Sequence, residues 1–397
     1  MRIAVISPAV DRQHGTERAV AELIDRLRSN YRDDIDLYAE RVSDLALTES
    51  PGPPASGGGS IRWHRVKSLP GPHLLRFLGW FFGNRFARER VGKGHDRTPD
   101  IIFSAGINAL DADVILVHVV FHRVAELQKA APGTGLRGLH RKLYYALLCR
   151  LERRIYKNSQ VTLAAVSKHT AKQIFQYFQR TDVAVVPNGV DAAHFSASAI
   201  ATMRKSSRAR WNFSQEHFVL LLIGNDWRNK GLNALLAAAA KCRDLPIRLM
   251  IVGQDDSAAF RAAAENLGVR DQLQFCPPAA DVRIFYAAAD VLVAPSLEDA
   301  FNLPVLEAMS CGLPVVASPR AGISEWLTTG TDCLVLNDPE NADELAAAIR
   351  SLANEPAKRN EISANAIKTA ARFSWDSHAH ELRKLLMKAA EAKRKYR

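Results

Sequence analysis

The residues best suited to chemistry gather in one stretch, residues 291–316 (VLVAPSLEDAFNLPVLEAMSCGLPVV), and in one loop before it. Asp299 precedes a short helix that Asn302 can cap, and Glu307 lies one turn inside that helix. The spacing lets both carboxylates face one pocket and accept hydrogen bonds from hydroxyl groups. The helix N-terminus offers unpaired N–H groups and the positive end of its dipole, which favour an anion such as a diphosphate. Carboxylates repel phosphate, so the acids suit hydroxyls. Arg228 and Lys230 add fixed positive charge in residues 224–231 (GNDWRNKG), between a strand and a helix. In the first half, Gly15 and Thr16, beside His14, open a strand–loop–helix unit of the same kind, and His118 ends an apolar strand, within reach of a ligand.

These side chains need elements to hold them. Residues 291–295 and 314–317 are short β-branched apolar runs of the type buried on both faces of a sheet. Pro304 fits a first helical turn, where its missing N–H costs nothing, and Gly312 can end the helix in the left-handed conformation. Similar runs predict strands at 2–7, 35–38, 61–66, 101–104, 114–120, 161–167 and 183–187, then at 218–223, 248–252, 273–275 and 333–335. Strands alternating with helices imply parallel sheets, hence an α/β chain of two Rossmann-like domains facing across a cleft. Residues 187–191 (PNGVD) break the chain, and 192–212, basic and without a strand pattern, read as the linker. The expected domains are 1–187 and 188–375.

Two segments stand apart. Residues 50–60 (SPGPPASGGGS) can only be an exposed, flexible loop. Residues 69–97 mix Leu74, Leu75, Phe77, Leu78, Trp80, Phe81, Phe82 and Phe86 with Arg76, Arg85, Arg88, Arg90, Lys93 and Arg97. That pattern serves an anionic membrane surface or a helix packed on its own sheet with an arginine-rich outer face; packing is the preferred reading.

The chain's 397 residues, 47% hydrophobic, suffice for two cores. A balance of 53 Lys+Arg against 42 Asp+Glu, +11 in all, fits an anionic ligand, an acidic membrane surface or nucleic acid. Five cysteines, odd in number and scattered through apolar runs, read as reduced core residues of a cytosolic protein. The opening segment is too short for a signal peptide, and no apolar run reaches a spanning length. Membrane contact is therefore expected to be peripheral, at the inner face.

The segment SLEDAFNLPVLEAMSCGLPVV closely resembles the donor-site signature of family 4 glycosyltransferases, retaining enzymes of the GT-B fold that use nucleotide sugars. In that family two glutamates are separated by seven residues. The resemblance implies that Glu307 binds the ribose hydroxyls and that Asp299, in place of the first glutamate, faces the donor sugar. Phe301, Leu303 and Pro304 match the family's F-G-L-P, whereas Asn302 replaces its glycine. Lys230 matches the phosphate lysine. Asn225 stands where an arginine is usual, so Arg228 is assigned as the second cation. Gly15, Thr16 and the following Glu17 resemble the N-terminal sugar or phosphate loop, His118 in DVILVH the active-site histidine, and Gly253 in VGQ the turn near the nucleoside. Residues 275–278 replace an F-x-G without its glycine, and 321–325 (AGISE) resemble a G-G-x-x-E turn. PNGVD followed by Phe195 resembles the hinge, and FSW at 373–375 precedes a basic helix, 376–397, that in such enzymes crosses back to the N-terminal domain.

The resemblance implies transfer of a hexose from a UDP-, GDP- or ADP-sugar to a glycan or lipid-linked acceptor, in bacterial cell-surface polysaccharide or lipopolysaccharide synthesis. Front-side displacement is the expected mechanism. With no D-x-D motif, no metal and no cofactor are expected, nor is nucleic acid as a partner. The competing readings are a GT-B epimerase or phosphorylase, and a non-catalytic basic protein that binds nucleic acid or anionic lipid through residues 69–97.

Overall fold

The computed structural model describes residues 1–13, 15–47, 59–94, 98–129 and 135–395. The chain separates into two units, unit 1 being Met1–Pro187 with Trp375–Arg397 and unit 2 being Asn188–Ser374.

Unit 1 begins with β1 (Arg2–Ile6), β2 (Ala9–Val10), α1 (Gly15–Tyr31), β3 (Asp34–Ala39), β4 (Arg41–Val42) and β5 (Ile61–Arg65). It continues through α2 (His73–Gly94), β6 (Ile101–Ala105), β7 (Val114–Val117), α3 (Phe121–Lys129) and α4 (Gly135–Tyr156). β8 (Thr162–Ala165), α5 (Lys168–Phe178) and β9 (Ala184–Val185) follow. The main sheet has the order β5-β3-β1-β6-β7-β8-β9, and its neighbours run parallel. Ile3, Val5, Ile35, Leu37, Ile101, Phe103, Ile115 and Leu163 are all buried, because helices cover both faces of a parallel sheet and adjacent positions must both be apolar.

Unit 2 runs α6 (Ala197–Arg210), β10 (Phe218–Ile223), α7 (Leu232–Ala240), β11 (Ile247–Val252), α8 (Ala258–Asn266), β12 (Leu273–Cys276) and α9 (Arg283–Ala288). Then come β13 (Val291–Ala294), α10 (Leu303–Ser310), β14 (Val315–Ala317), β15 (Leu334–Val335), α11 (Ala342–Asn354) and α12 (Pro356–Ala370). Its parallel sheet has the order β12-β11-β10-β13-β14-β15. β10 therefore lies between β11 and β13, and the strand order reverses there. At such a switch point the loops leaving two adjacent strands diverge and leave a crevice at their carboxyl ends.

The last helix, α13 (Trp375–Lys395), belongs to unit 1. Trp375, His378, Ala379, Leu382, Leu386 and Ala390 form its buried stripe. Arg383 holds Asp33 at 2.7 Å, Lys393 holds Asp113 at 2.7 Å and Arg394 holds Asp100 at 2.8 Å.

Several expectations need correction. The stretch 192–212 belongs to unit 2 and holds the structural helix α6 rather than a linker: Ser196 caps α6 by accepting from the Ala199 N–H at 3.2 Å. Arg204 and Arg208 both reach Asp290, at 2.5 and 3.1 Å, and Arg208 also donates to three backbone carbonyls. The strand expected over 114–120 stops at Val117, because Glu152 accepts the Phe121 and His122 N–H groups at 2.7 and 2.9 Å and starts α3 there. Of the loop 50–60, residues 50–58 lie outside the described residues, while Ser60 is buried and its hydroxyl donates to Asp34 at 2.5 Å. Within 69–97, Trp80 and Phe81 are buried as packing requires, but Leu69, Leu75, Phe82 and Phe86 are not. Cys242, Cys276, Cys311 and Cys333 are buried free thiols, and Cys149 is half-buried. Among the described residues no helix is long and apolar enough to cross a membrane, and no cluster of acids, histidines or cysteines could hold a metal ion.

Candidate functional site

The switch point of unit 2 is closed by two loops, residues 224–231 after β10 and 295–302 after β13. The Leu297 N–H donates to the Asn229 carbonyl at 2.7 Å, and the Asn229 side chain donates to the Glu298 carbonyl at 2.9 Å. Gly231 makes this approach feasible: its φ is +78°, and a Cβ there would sit 2.1 Å from the Pro295 carbonyl oxygen. From this frame Lys230 extends across Gly224, where an added Cβ would meet its Cε at 2.6 Å. Its ammonium reaches Asp299 Oδ2 at 2.5 Å, with both side chains largely buried. The other carboxylate oxygen accepts the Phe301 N–H at 3.1 Å, so Asp299 is fixed from two sides. The backbone of 299–301 is held against 320–323 through Asp299 to Arg320 at 3.2 Å, Gly322 to Asp299 at 3.0 Å and Ile323 to Phe301 at 2.9 Å.

Asn302 occupies the residue position before α10, but its role differs from that of a side-chain cap. Its φ is +73°, and its amide donates to Ser296 Oγ at 3.3 Å instead of accepting from the helix. A left-handed residue is needed here, and asparagine is among the few non-glycine residues that enter that region readily. Pro304 falls in the first turn, as its missing N–H favours. At the other end Gly312 is left-handed, with φ +73°. Its N–H donates to Met309 at 3.0 Å and the Leu313 N–H to Ala308 at 2.9 Å, the paired bonds of a Schellman ending.

Glu307 points inward from α10. It is buried, and Oε2 accepts the Tyr286 hydroxyl of α9 at 2.6 Å. Burial, then the Glu307 charge, push the neighbouring Cys311 thiol up to about 12, which keeps that sulfur protonated and inert. Phe301 and Leu303 are buried and serve as packing, Phe301 against Trp326 and Phe373. The two acids thus have different partners, Asp299 a cation and Glu307 a phenol. Arg228 is exposed, and among the described residues it makes no ion pair; it is not part of the Lys230–Asp299 contact. Asn225, at the position of the family's arginine, accepts the Gln254 N–H at 2.8 Å and so ties the β10 loop to the turn that begins at Gly253.

The loop after β12 lines a cavity of about 330 Å³ with Arg210, Trp211, Pro277, Pro278 and Asp281. None of Lys230, Asp299 or Glu307 lines it. In unit 1, Gly15 and Thr16 form the first turn of α1, exposed and half-buried respectively, and His118 is buried directly after β7. His14 lies outside the described residues.

Sequence reasoning missed Tyr286, Asn229 and Ser296. A tyrosine in the run RIFYAA reads as core, and nothing in its spacing points to an acid on another helix. Asn229 and Ser296 act through loop closure, which a pattern of apolar positions does not encode.

Comparison with known proteins adds to this geometry. Residues 203–369 match the family "Glycosyl transferases group 1", and residues 13–194 match "Glycosyltransferase Family 4". A D-inositol 3-phosphate glycosyltransferase of Geodermatophilus obscurus is 31% identical over 302 residues, 70% of this chain and 62% of that one. The chain spans about half the length of the curated relatives it matches. Among solved structures, WaaG, a glycosyltransferase involved in lipopolysaccharide biosynthesis, superposes with a TM-score of 0.77 at 20% identity, covering 97% of this chain and 99% of that one. Anabaena HepE in complex with UDP-glucose gives 0.72 at 19% identity, covering 98% and 100%. Two parallel-sheet Rossmann-like units in this likeness make the fold GT-B.

Proposed function

The chain belongs to the glycosyltransferases of group 1 and family 4, and from that membership we propose that it is a retaining hexosyltransferase using a nucleotide sugar. The acceptor is a glycan or lipid-linked sugar of bacterial cell-surface polysaccharide or lipopolysaccharide synthesis, held at an anionic membrane surface. The observation that carries this reading is the Lys230–Asp299 contact of 2.5 Å at the switch point, with the buried Glu307–Tyr286 pair on the adjoining helix.

An ammonium has three N–H donors, and Asp299 accepts one of them. The others suit the oxygens of a diphosphate, whose charge grows as the glycosidic bond breaks. A cation fixed in place before the reaction stabilises that growing charge without reorganising, by several kcal/mol in typical cases. Asp299 accepts hydrogen bonds from the donor sugar, and Glu307 from the ribose. Gly253 and the exposed Arg228 flank the nucleotide. Similarity supports the donor class, since HepE was solved with UDP-glucose, and the acceptor class, since WaaG is involved in lipopolysaccharide biosynthesis.

The experiment is a thermal-stability screen with UDP-, GDP- and ADP-sugars. A ligand that binds the native state raises the midpoint by mass action, by about 2.7 kcal/mol of stability at a hundred times its Kd. One nucleotide series should stabilise the protein. Failure of all three at millimolar concentration contradicts the proposal.

A further inference from the structure

Helix α2 has two apolar faces. One carries Trp80, which is buried in the core of unit 1 with Val66, Ile107 and Leu148. The other carries Leu75, Phe82 and Phe86, which are 49%, 61% and 69% exposed. Positions 75, 79, 82 and 86 follow the three-and-four spacing of a single helical stripe. The residue at 79 is glycine, and Leu69, 54% exposed, lies over it: a Cβ on Gly79 would fall 2.5 Å from Leu69 Cγ. The stripe is therefore continuous, from Leu75 across Leu69 to Phe82 and Phe86. Scattered exposed apolar residues are ordinary, but an unbroken row with two outward phenylalanines marks a surface that meets something.

The charges around the row indicate what it meets. Lys67, Arg76, Arg85 and Arg90 are exposed beside it, and the two acids paired to this helix are Glu89, with Arg85 at 3.0 Å, and Asp111, with Arg88 at 2.6 Å. α4, packed against α2 through Phe77 and Tyr144 with ring centroids 6.1 Å apart, repeats the arrangement. Its Leu139 and Leu143, one turn apart, are 55% and 53% exposed. Lys142, Arg150, Arg153 and Arg154 are exposed on the same helix, whose one acid, Glu152, is fully buried.

We propose that this face of unit 1 docks on an anionic lipid surface, with Phe82 and Phe86 entering the boundary between headgroups and acyl chains and the basic residues pairing with lipid phosphates. A second copy of the chain fits poorly, because two molecules of charge +11 would bring equally basic faces together. The inference gives the membrane contact of the proposed function a location, and its test is independent of any sugar transfer.

The test is sedimentation of the full chain with vesicles of phosphatidylcholine alone, or with a third of the lipid replaced by phosphatidylglycerol. The comparison is made at low and high salt, with size-exclusion chromatography in parallel. The parent should sediment with the anionic vesicles at low salt and be released by salt, since exposed charges are screened beyond about 10 Å at moderate ionic strength. Phe82→Ser with Phe86→Ser removes two exposed side chains and should leave the thermal midpoint unchanged while lowering partitioning about tenfold or more. Arg76→Gln, Arg85→Gln and Arg90→Gln together should lower it comparably at low salt. A parent that stays in the supernatant, or a double-Phe variant that sediments like the parent, overturns the proposal. So does a parent that is a dimer without affinity for vesicles and becomes a monomer in the double-Phe variant, which would make the stripe an interface between copies.

Discussion

The Lys230 ammonium and the Asp299 carboxylate stand 2.5 Å apart although 69 positions separate them in the chain. They meet because β10 and β13 are neighbours in the sheet and the loops leaving them are joined by the Asn229 hydrogen bonds. In the proposed roles, Asp299 toward the sugar and Lys230 toward the phosphate, the two have separable effects. Asp299→Asn should lower turnover while leaving affinity for the bare nucleoside diphosphate unchanged or stronger, since it removes a negative charge beside the phosphate. Calorimetric titration with the diphosphate decides; weaker binding would place Asp299 on the nucleotide instead.

Glu307→Ala should weaken nucleotide binding by about 1.5–3 kcal/mol, the loss expected for a charged acceptor of a ribose hydroxyl. Tyr286→Phe is the companion variant. It removes the donor 2.6 Å from Glu307 Oε2 but keeps the carboxylate, so stability should fall by about 1.5–3 kcal/mol while nucleotide affinity is retained. Equal nucleotide affinity in the parent and Glu307→Ala would remove Glu307 from the site.

Asn302 gives a conformational prediction. Because its φ is +73°, Asn302→Gly should be more stable than Asn302→Ala by about 1 kcal/mol, although glycine ordinarily destabilises a fold relative to alanine. Both variants lose the Ser296 contact, so the comparison isolates the backbone. Denaturant midpoints in the opposite order would contradict the left-handed assignment.

His378 gives a pH dependence. Its Nδ1 lies 2.9 Å from the Pro187 carbonyl, which can only accept, so Nδ1 carries the proton. Burial lowers its pKa from 6.5 to about 4. As pH falls, the unfolded chain takes up the proton first. The contribution is therefore complete above about pH 6.5 and is lost as pH falls toward 4, by about 3 kcal/mol at most. His378→Asn keeps a donor for Pro187 and cannot titrate, so its unfolding free energy should fall less than that of the parent between pH 7 and pH 5. Parallel declines would show that His378 does not titrate on unfolding.

The strands of both units could be read from the sequence because a sheet covered on both faces demands consecutive apolar residues, as in FVLLLI of β10 and VLVA of β13. Helix α6 could not, since it docks through Arg204 and Arg208 onto Asp290 and backbone carbonyls rather than through an apolar stripe. The run Trp80, Phe81, Phe82 is uniformly aromatic, and only the helix phase decides that the first two go in and the third out. The residue type of Asn302 marks the start of its helix but not the reason asparagine stands there, because cap preference and tolerance of positive φ select the same residue type. The types of Lys230, Asp299 and Glu307 are legible, the first two on loops and the third inside α10. Tyr286, 21 positions from Glu307, was not, because only tertiary packing brings α9 against α10.

Sugar transfer with Lys230 at the leaving group is read from release of nucleoside diphosphate from the sugar donor selected by the thermal screen. The parent should release it steadily. Lys230→Ala should be slower by about a hundredfold or more, with a much smaller change in donor affinity, because the charge it meets grows toward the transition state. Release by Lys230→Ala at the parent's rate, or no release by the parent from any UDP-, GDP- or ADP-sugar, would contradict it.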